Sequence, residues 1–122
     1  TARALVRGES LLVEDNFVVS LDTQKVLKTI GFRSIETAST AEDALAKLQK
    51  FTPNFAILDV NLGNGHTSLP VARLLRERNI PFVFVTGYGE SAPLPSDYQD
   101  VPILKKPLRK DEIIHLIDQI SE

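Results

Sequence analysis

Phe55-Ala56-Ile57-Leu58-Asp59 is the stretch on which the fold turns. Four apolar residues run without alternation and end on a carboxylate. A strand apolar on both faces belongs in a parallel sheet covered by helices on each side. Working outward, the chain alternates such runs with amphipathic stretches. Upstream, Leu11-Leu12-Val13 reads as a buried strand, residues 16–30 as a helix stopped by Gly31, and residues 33–37 as a second strand. In the first helix Phe17 pairs with Leu21 and Val26 with Ile30, an uneven apolar stripe. The next helix opens on Ser39 with Glu42 three residues on, a capping box. Ala41, Ala44, Leu45 and Leu48 then follow helical spacing.

Downstream, residues 68–78 form a helix with Val71, Leu74 and Leu75 inward, and residues 81–85 a continuous apolar strand. A shorter strand spans 101–104, and a last helix spans 109–120 with Ile113, Leu116, Ile117 and Ile120 on one face. Between the last two strands, Gly87, Gly89, Pro93 and Pro95 oppose a long helix, since Gly costs roughly 1 kcal/mol and Pro about 3 inside one. Ala92 and Leu94, each before a Pro, are biased toward extended geometry. At most about two turns fit there, with a short turn at 95–98. The order is β-α repeated five times with the fourth helix short or missing. This predicts an α/β fold: a flavodoxin-like, doubly wound, five-stranded parallel sheet of order 2-1-3-4-5 with helices on both faces.

At 122 residues the chain makes one domain, taken as 9–122 with a partly ordered leader at 1–8. Fourteen basic and sixteen acidic side chains leave a net charge of -2, which gives no general attraction to nucleic acid or to an anionic membrane. The absence of Cys excludes disulfides, thiolate metal sites and a Cys nucleophile. No apolar run approaches the roughly 20 residues that span a bilayer, and the cytoplasm is the expected compartment.

In an open α/β sheet the ligand site lies beyond the carboxyl ends of the strands. Those ends carry Glu14-Asp15, Asp59, Thr86-Gly87 and Lys106-Pro107. Singly, each has a plain structural reading: a helix cap, a turn, a strand end, a surface lysine. Jointly they put three carboxylates, a hydroxyl and an ammonium at one edge. Three carboxylates raise one another's pKa unless a cation intervenes. Oxygen ligands without Cys or paired His favour Mg²⁺ or Mn²⁺. A phosphoryl group explains Lys106 and Thr86, one neutralising an oxygen and the other donating a hydrogen bond.

From about Glu9 to Ser121 the sequence resembles a response-regulator receiver domain of two-component signalling. The motifs are Leu-Val-Glu-Asp-Asn at 12–16, Ile-Leu-Asp-Val-Asn-Leu at 57–62, Phe-Val-Thr-Gly-Tyr at 84–88 and Lys-Lys-Pro-Leu at 105–108. The resemblance implies that Asp59 is the phosphoacceptor, taking its group from a phosphohistidine on a sensor histidine kinase or histidine phosphotransferase. It implies Mg²⁺ (or Mn²⁺) held by Glu14, Asp15, Asp59 and the backbone carbonyl of Asn61. Lys106, Thr86 and the amides of Val60 and Gly87 would bind the phosphoryl oxygens, and a cis Lys106-Pro107 bond would aim Lys106 inward. The product is a phosphorylation-dependent switch controlling an unknown output partner, with no direct nucleic-acid binding and no membrane contact. It is an enzyme only toward its own aspartate.

Two departures stand out. The family's switch aromatic would fall at Ile103, which leaves Phe84 or Tyr88 as substitutes. The Phe-Val-Thr-Gly-Tyr run resembles short stand-alone receivers with a reduced fourth helix. His66 and His115 lack a partner at ligand spacing and read as non-catalytic. A pseudo-receiver that needs no phosphorylation is disfavoured by the complete acidic cluster. A phosphatase-type hydrolase would want Asp rather than Asn61, and a flavin site would be repelled by Glu14-Asp15.

Overall fold

The computed structural model describes residues 8–63, 65–87 and 94–120, the side chain of Ile120 excepted. Residues 1–7 of the expected leader and the segment 88–93, with Tyr88, Gly89 and Pro93, lie outside the described residues. Five strands, β1 (Glu9–Val13), β2 (Ser34–Ala38), β3 (Phe55–Asp59), β4 (Phe82–Thr86) and β5 (Ile103–Lys105), form one sheet. All pairings are parallel and the order is β2-β1-β3-β4-β5. The helices are α1 (Phe17–Ile30), α2 (Ala41–Leu48), α3 (Leu69–Glu77) and α4 (Lys110–Ile120). Among the described residues no helix is long and apolar enough to cross a membrane.

β3 is paired on both sides and every residue in it is buried. Its alternate side chains feed two cores. Ala56 and Leu58 pack with Ala44 and Leu48 of α2 and with Val71, Ala72 and Leu75 of α3. Phe55 and Ile57 pack with Leu27 of α1 and with Ile113 and Ile117 of α4. Both faces of the strand are therefore dry, which is why its sequence shows no polar alternation.

Three local expectations are corrected. The first apolar pair of α1 lies outward, Phe17 74% exposed and Leu21 41%, while Val26 and Ile30 pack against the core. Ser20, Thr23 and Leu27 face the sheet instead, and Gln24 Nε2 donates to Ser20 Oγ at 3.1 Å. The N-cap of α2 is Thr40, not Ser39: Thr40 Oγ1 accepts from the Asp43 amide at 3.0 Å. With the cap one residue later, Glu42 and Asp43 both fall in the first turn, where the helix dipole favours them. β5 is shorter and later than residues 101–104, because the Val101 amide donates to the Tyr98 carbonyl and is held in the preceding turn.

Among the described residues the β4–β5 connection holds a single 3-10 turn, Ser96–Tyr98. Tyr98 is buried edge-on against Phe84, with ring centroids 6.0 Å apart. The Arg76 guanidinium of α3 lies 4.8 Å over the same ring. Arg76 also donates to the Asp97 carbonyl and pairs with Asp100 at 3.1 Å. One arginine thus ties α3 to the turn that stands where a helix was in doubt.

The relocated cap gives a direct test. Thr40→Ala should lower stability by about 1 kcal/mol, while Ser39→Ala should stay within about 0.5 kcal/mol of the parent. Urea unfolding followed by circular dichroism reads both, and equal losses would return the cap to Ser39.

Candidate functional site

The strand ends converge as the topology requires. Glu14 follows β1, Asp59 closes β3, Thr86 closes β4 and Lys106 follows β5; the first three are buried. Asp15 is exposed at the rim, where Asn16 caps α1 by accepting from the Val19 amide at 3.1 Å. Carboxylate oxygens of Glu14, Asp15 and Asp59 all lie within 4.8 Å of one another. Lys106 Nζ sits between two of them, 2.7 Å from Glu14 Oε1 and 2.8 Å from Asp59 Oδ2. The Lys106 amide donates to the Thr86 carbonyl at 2.9 Å, and the Lys106-Pro107 bond is cis.

The charges do not balance. Burial raises the pKa of Glu14; Lys106 pulls it down and Asp59 pushes it up again. Asp15 is raised by burial and then by Glu14. Burial works against the Lys106 ammonium, but its hydrogen bonds to Asp59 and Glu14 prevail and raise its pKa. One ammonium faces three carboxylates, so the cluster has the charge deficit that a divalent ion would fill. An oxygen-only donor set on a half-open rim suits a hard cation that keeps part of its water.

Backbone groups divide differently from the sequence expectation. The Val60 amide, expected at a phosphoryl oxygen, donates to the Val85 carbonyl at 3.0 Å in the β3–β4 ladder. The amide that faces the acceptor is that of Asn61, 3.3 Å from Asp59 Oδ1. Register along a parallel ladder decides this, and no residue type signals it. Asn61 Oδ1 also accepts from the Gly63 amide at 3.0 Å, which shapes the loop beside Asp15. Gly63 has φ +83, and a Cβ built there would meet Asp15 Oδ2 at 3.3 Å. Gly87 is half-buried at the end of β4. No hydrogen bond to the Thr86 hydroxyl is found among the described residues. His66 is exposed in the β3–α3 loop and His115 on α4, and neither joins the acidic cluster.

The family model for the response regulator receiver domain matches residues 11–118, and the chain belongs to that family, whose members are phosphorylation-dependent switches of two-component signalling. The family binds Mg²⁺ at an acidic pocket, and Glu14, Asp15 and Asp59 form one here. The solution structure of SdrG from Sphingomonas melonis Fr1 is 33% identical, with 96% of this chain and 98% of that chain covered at a TM-score of 0.83. The BeF3-activated conformation of SdrG from Pseudomonas melonis Fr1 is 32% identical, with 97% and 98% covered at a TM-score of 0.77. The photosynthetic apparatus regulatory protein RegA of Cereibacter sphaeroides is 31% identical over 88% of this chain and 59% of its own length. The chain spans about half the length of the curated relatives it matches.

Removing the Lys106 ammonium should expose the imbalance. In Lys106→Met, Glu14 loses the group that lowers its pKa, so its folded-state pKa rises further above the unfolded value. A raised carboxylate costs stability as pH climbs through the unfolded pKa, and the full cost is present above the folded one. Lys106→Met should be about 2–4 kcal/mol less stable than the parent at neutral pH. The gap should narrow toward pH 4 and shrink when Mg²⁺ is added at neutral pH. Denaturation series at several pH values measure it, and a pH-independent gap would mean that Lys106 acts by packing alone.

Proposed function

We propose that Asp59 accepts a phosphoryl group from a phosphohistidine, carried by a sensor histidine kinase or a histidine phosphotransferase. The resulting change around β4 and β5 then controls an output partner. The observation that carries this reading is Lys106, whose ammonium is 2.8 Å from Asp59 inside a cluster of three carboxylates. An ammonium seated on the acceptor is ready to neutralise a phosphoryl oxygen once Asp59 bears the group. Mg²⁺ or Mn²⁺ would be held by Glu14, Asp15, Asp59 and the Asn61 carbonyl, and when bound it supplies the positive charge that lets an anionic donor approach.

The residues divide the work. An Asp59 oxygen attacks phosphorus in line, and the bond from phosphorus to the donor nitrogen breaks. Lys106 neutralises one oxygen of the transferred group, and the Thr86 hydroxyl donates to a second. The Gly87 amide completes the cradle, while the Val60 amide must first part from Val85 or share its proton. The site acts on its own aspartate and hydrolyses its own phosphoryl group. Since phosphohistidine is made from ATP, the proposal places the domain in the cytoplasm.

Two outcomes check the assignment. A small acyl phosphate should add one phosphoryl group to the parent, seen by intact mass, only with Mg²⁺ or Mn²⁺ present. Asp59→Asn should take up none, and labelling that survives a chelator would refute the metal-dependent reading. Thr86→Ala should still be phosphorylated at a rate within a few-fold of the parent, while the beryllofluoride-induced amide shifts near β4 and β5 largely vanish. Loss of phosphorylation itself would move Thr86 into the chemical step.

A further inference from the structure

A cavity of about 420 Å³ opens between α1 and the loop from β5 to α4. Its walls are mainly apolar, from Val19 and Val26 on the helix and Pro107 and Leu108 on the loop. Lys106 and Gly87 close it on the side of the phosphoacceptor, so it shares two residues with the site around Asp59. Thr23, only 5% exposed, lines it from the middle of α1. A helical threonine commonly bonds back to the preceding turn, as Thr29 Oγ1 does to the Lys25 carbonyl at 2.8 Å. No such bond is found for Thr23 among the described residues, and its hydroxyl keeps some solvent contact at the cavity wall. The cavity has the size and lining of a small-ligand pocket: apolar walls, one hydrogen-bonding group and a cation at one end. Asp22, exposed at the lip, disfavours a ligand with negative charge at its outer end.

We propose that this cavity is a leaving-group subsite for small acyl-phosphate donors, one that favours short branched or aromatic acyl groups over acetyl. The inference rests on Asp59 being the phosphoacceptor. The donor's phosphoryl group faces Asp59 beside Lys106, and its uncharged acyl body lies in the cavity against Val19, Val26 and Leu108. The Thr23 hydroxyl donates to the acyl carbonyl. An Asp59 oxygen forms the bond to phosphorus, and the phosphorus–oxygen bond to the acyl group breaks. The electron pair leaves on the carboxylate, and no proton is taken up. An acetyl group is too small to fill such a space. Each added methylene that becomes buried should raise the second-order rate constant about fourfold.

The test is the phosphorylation rate of the whole chain, with Mg²⁺, by acetyl, isobutyryl and benzoyl phosphate, followed by intact mass. Isobutyryl phosphate should exceed acetyl phosphate by roughly tenfold in the second-order constant, chiefly through a lower KM. In Val26→Phe, which fills the cavity, the ratio of the two constants should fall to near one. A second reading uses the parent chain and does not depend on how that variant packs. Isobutylphosphonate with Mg²⁺ should shift the amides of Val19, Thr23 and Leu108, and methylphosphonate should not. Equal constants for the three donors with Asp59 still labelled would overturn the subsite and leave the phosphoacceptor assignment standing. That result is also the one expected if the cavity serves only a side chain of a partner protein. No label from any donor would overturn both.

Discussion

Lys106 holds its ammonium between Glu14 and Asp59, and the arrangement of strand ends makes sense only around that contact. Two buried carboxylates side by side would each favour protonation, and neither could then serve as a charged ligand or nucleophile. The lysine keeps them usable, but at the rim its pull on Asp15 is outweighed by burial and by Glu14. The site is therefore stable enough to fold and short of positive charge. That shortage makes a divalent ion and an anionic group acceptable together, where either alone would meet a mismatch.

The parallel sheet is what allows such a contact. Glu14, Asp59 and Lys106 are far apart in sequence, yet each follows or ends a strand running in the same direction. Order 2-1-3-4-5 sets β3 between β1 and β4, so Asp59 lies at the middle of the edge with partners on both sides. Function here is a property of edge geometry, and the cores above and below the sheet fix that geometry.

The sequence made the sheet legible because β3 and β4 are covered on both faces, and such strands read as unbroken apolar runs. The charged residues of the site were legible for a related reason: each interrupts the pattern where a strand stops. What stayed hidden had weaker chemistry behind it. α1 turns Ser20 and Thr23 inward and leaves Phe17 outside, so the apolar pair at the start of the helix pointed to the wrong face. By type Ser39 is the better cap of the two, and only the start of the helix selects Thr40. The pairing of the Val60 amide with Val85 depends on ladder register, which side chains do not encode.

The turn at Ser96–Tyr98 has an optical consequence. The chain contains no tryptophan and two tyrosines, so tyrosine dominates its near-ultraviolet absorption. Tyr98 is fixed edge-on to Phe84 with a guanidinium over its face, a chiral and rigid surrounding for the chromophore. In a Tyr88→Phe background the near-ultraviolet dichroism of the whole domain would come mainly from this ring. The protein thus carries an intrinsic gauge at the junction of α3 with the β4–β5 connection, one that needs no attached label.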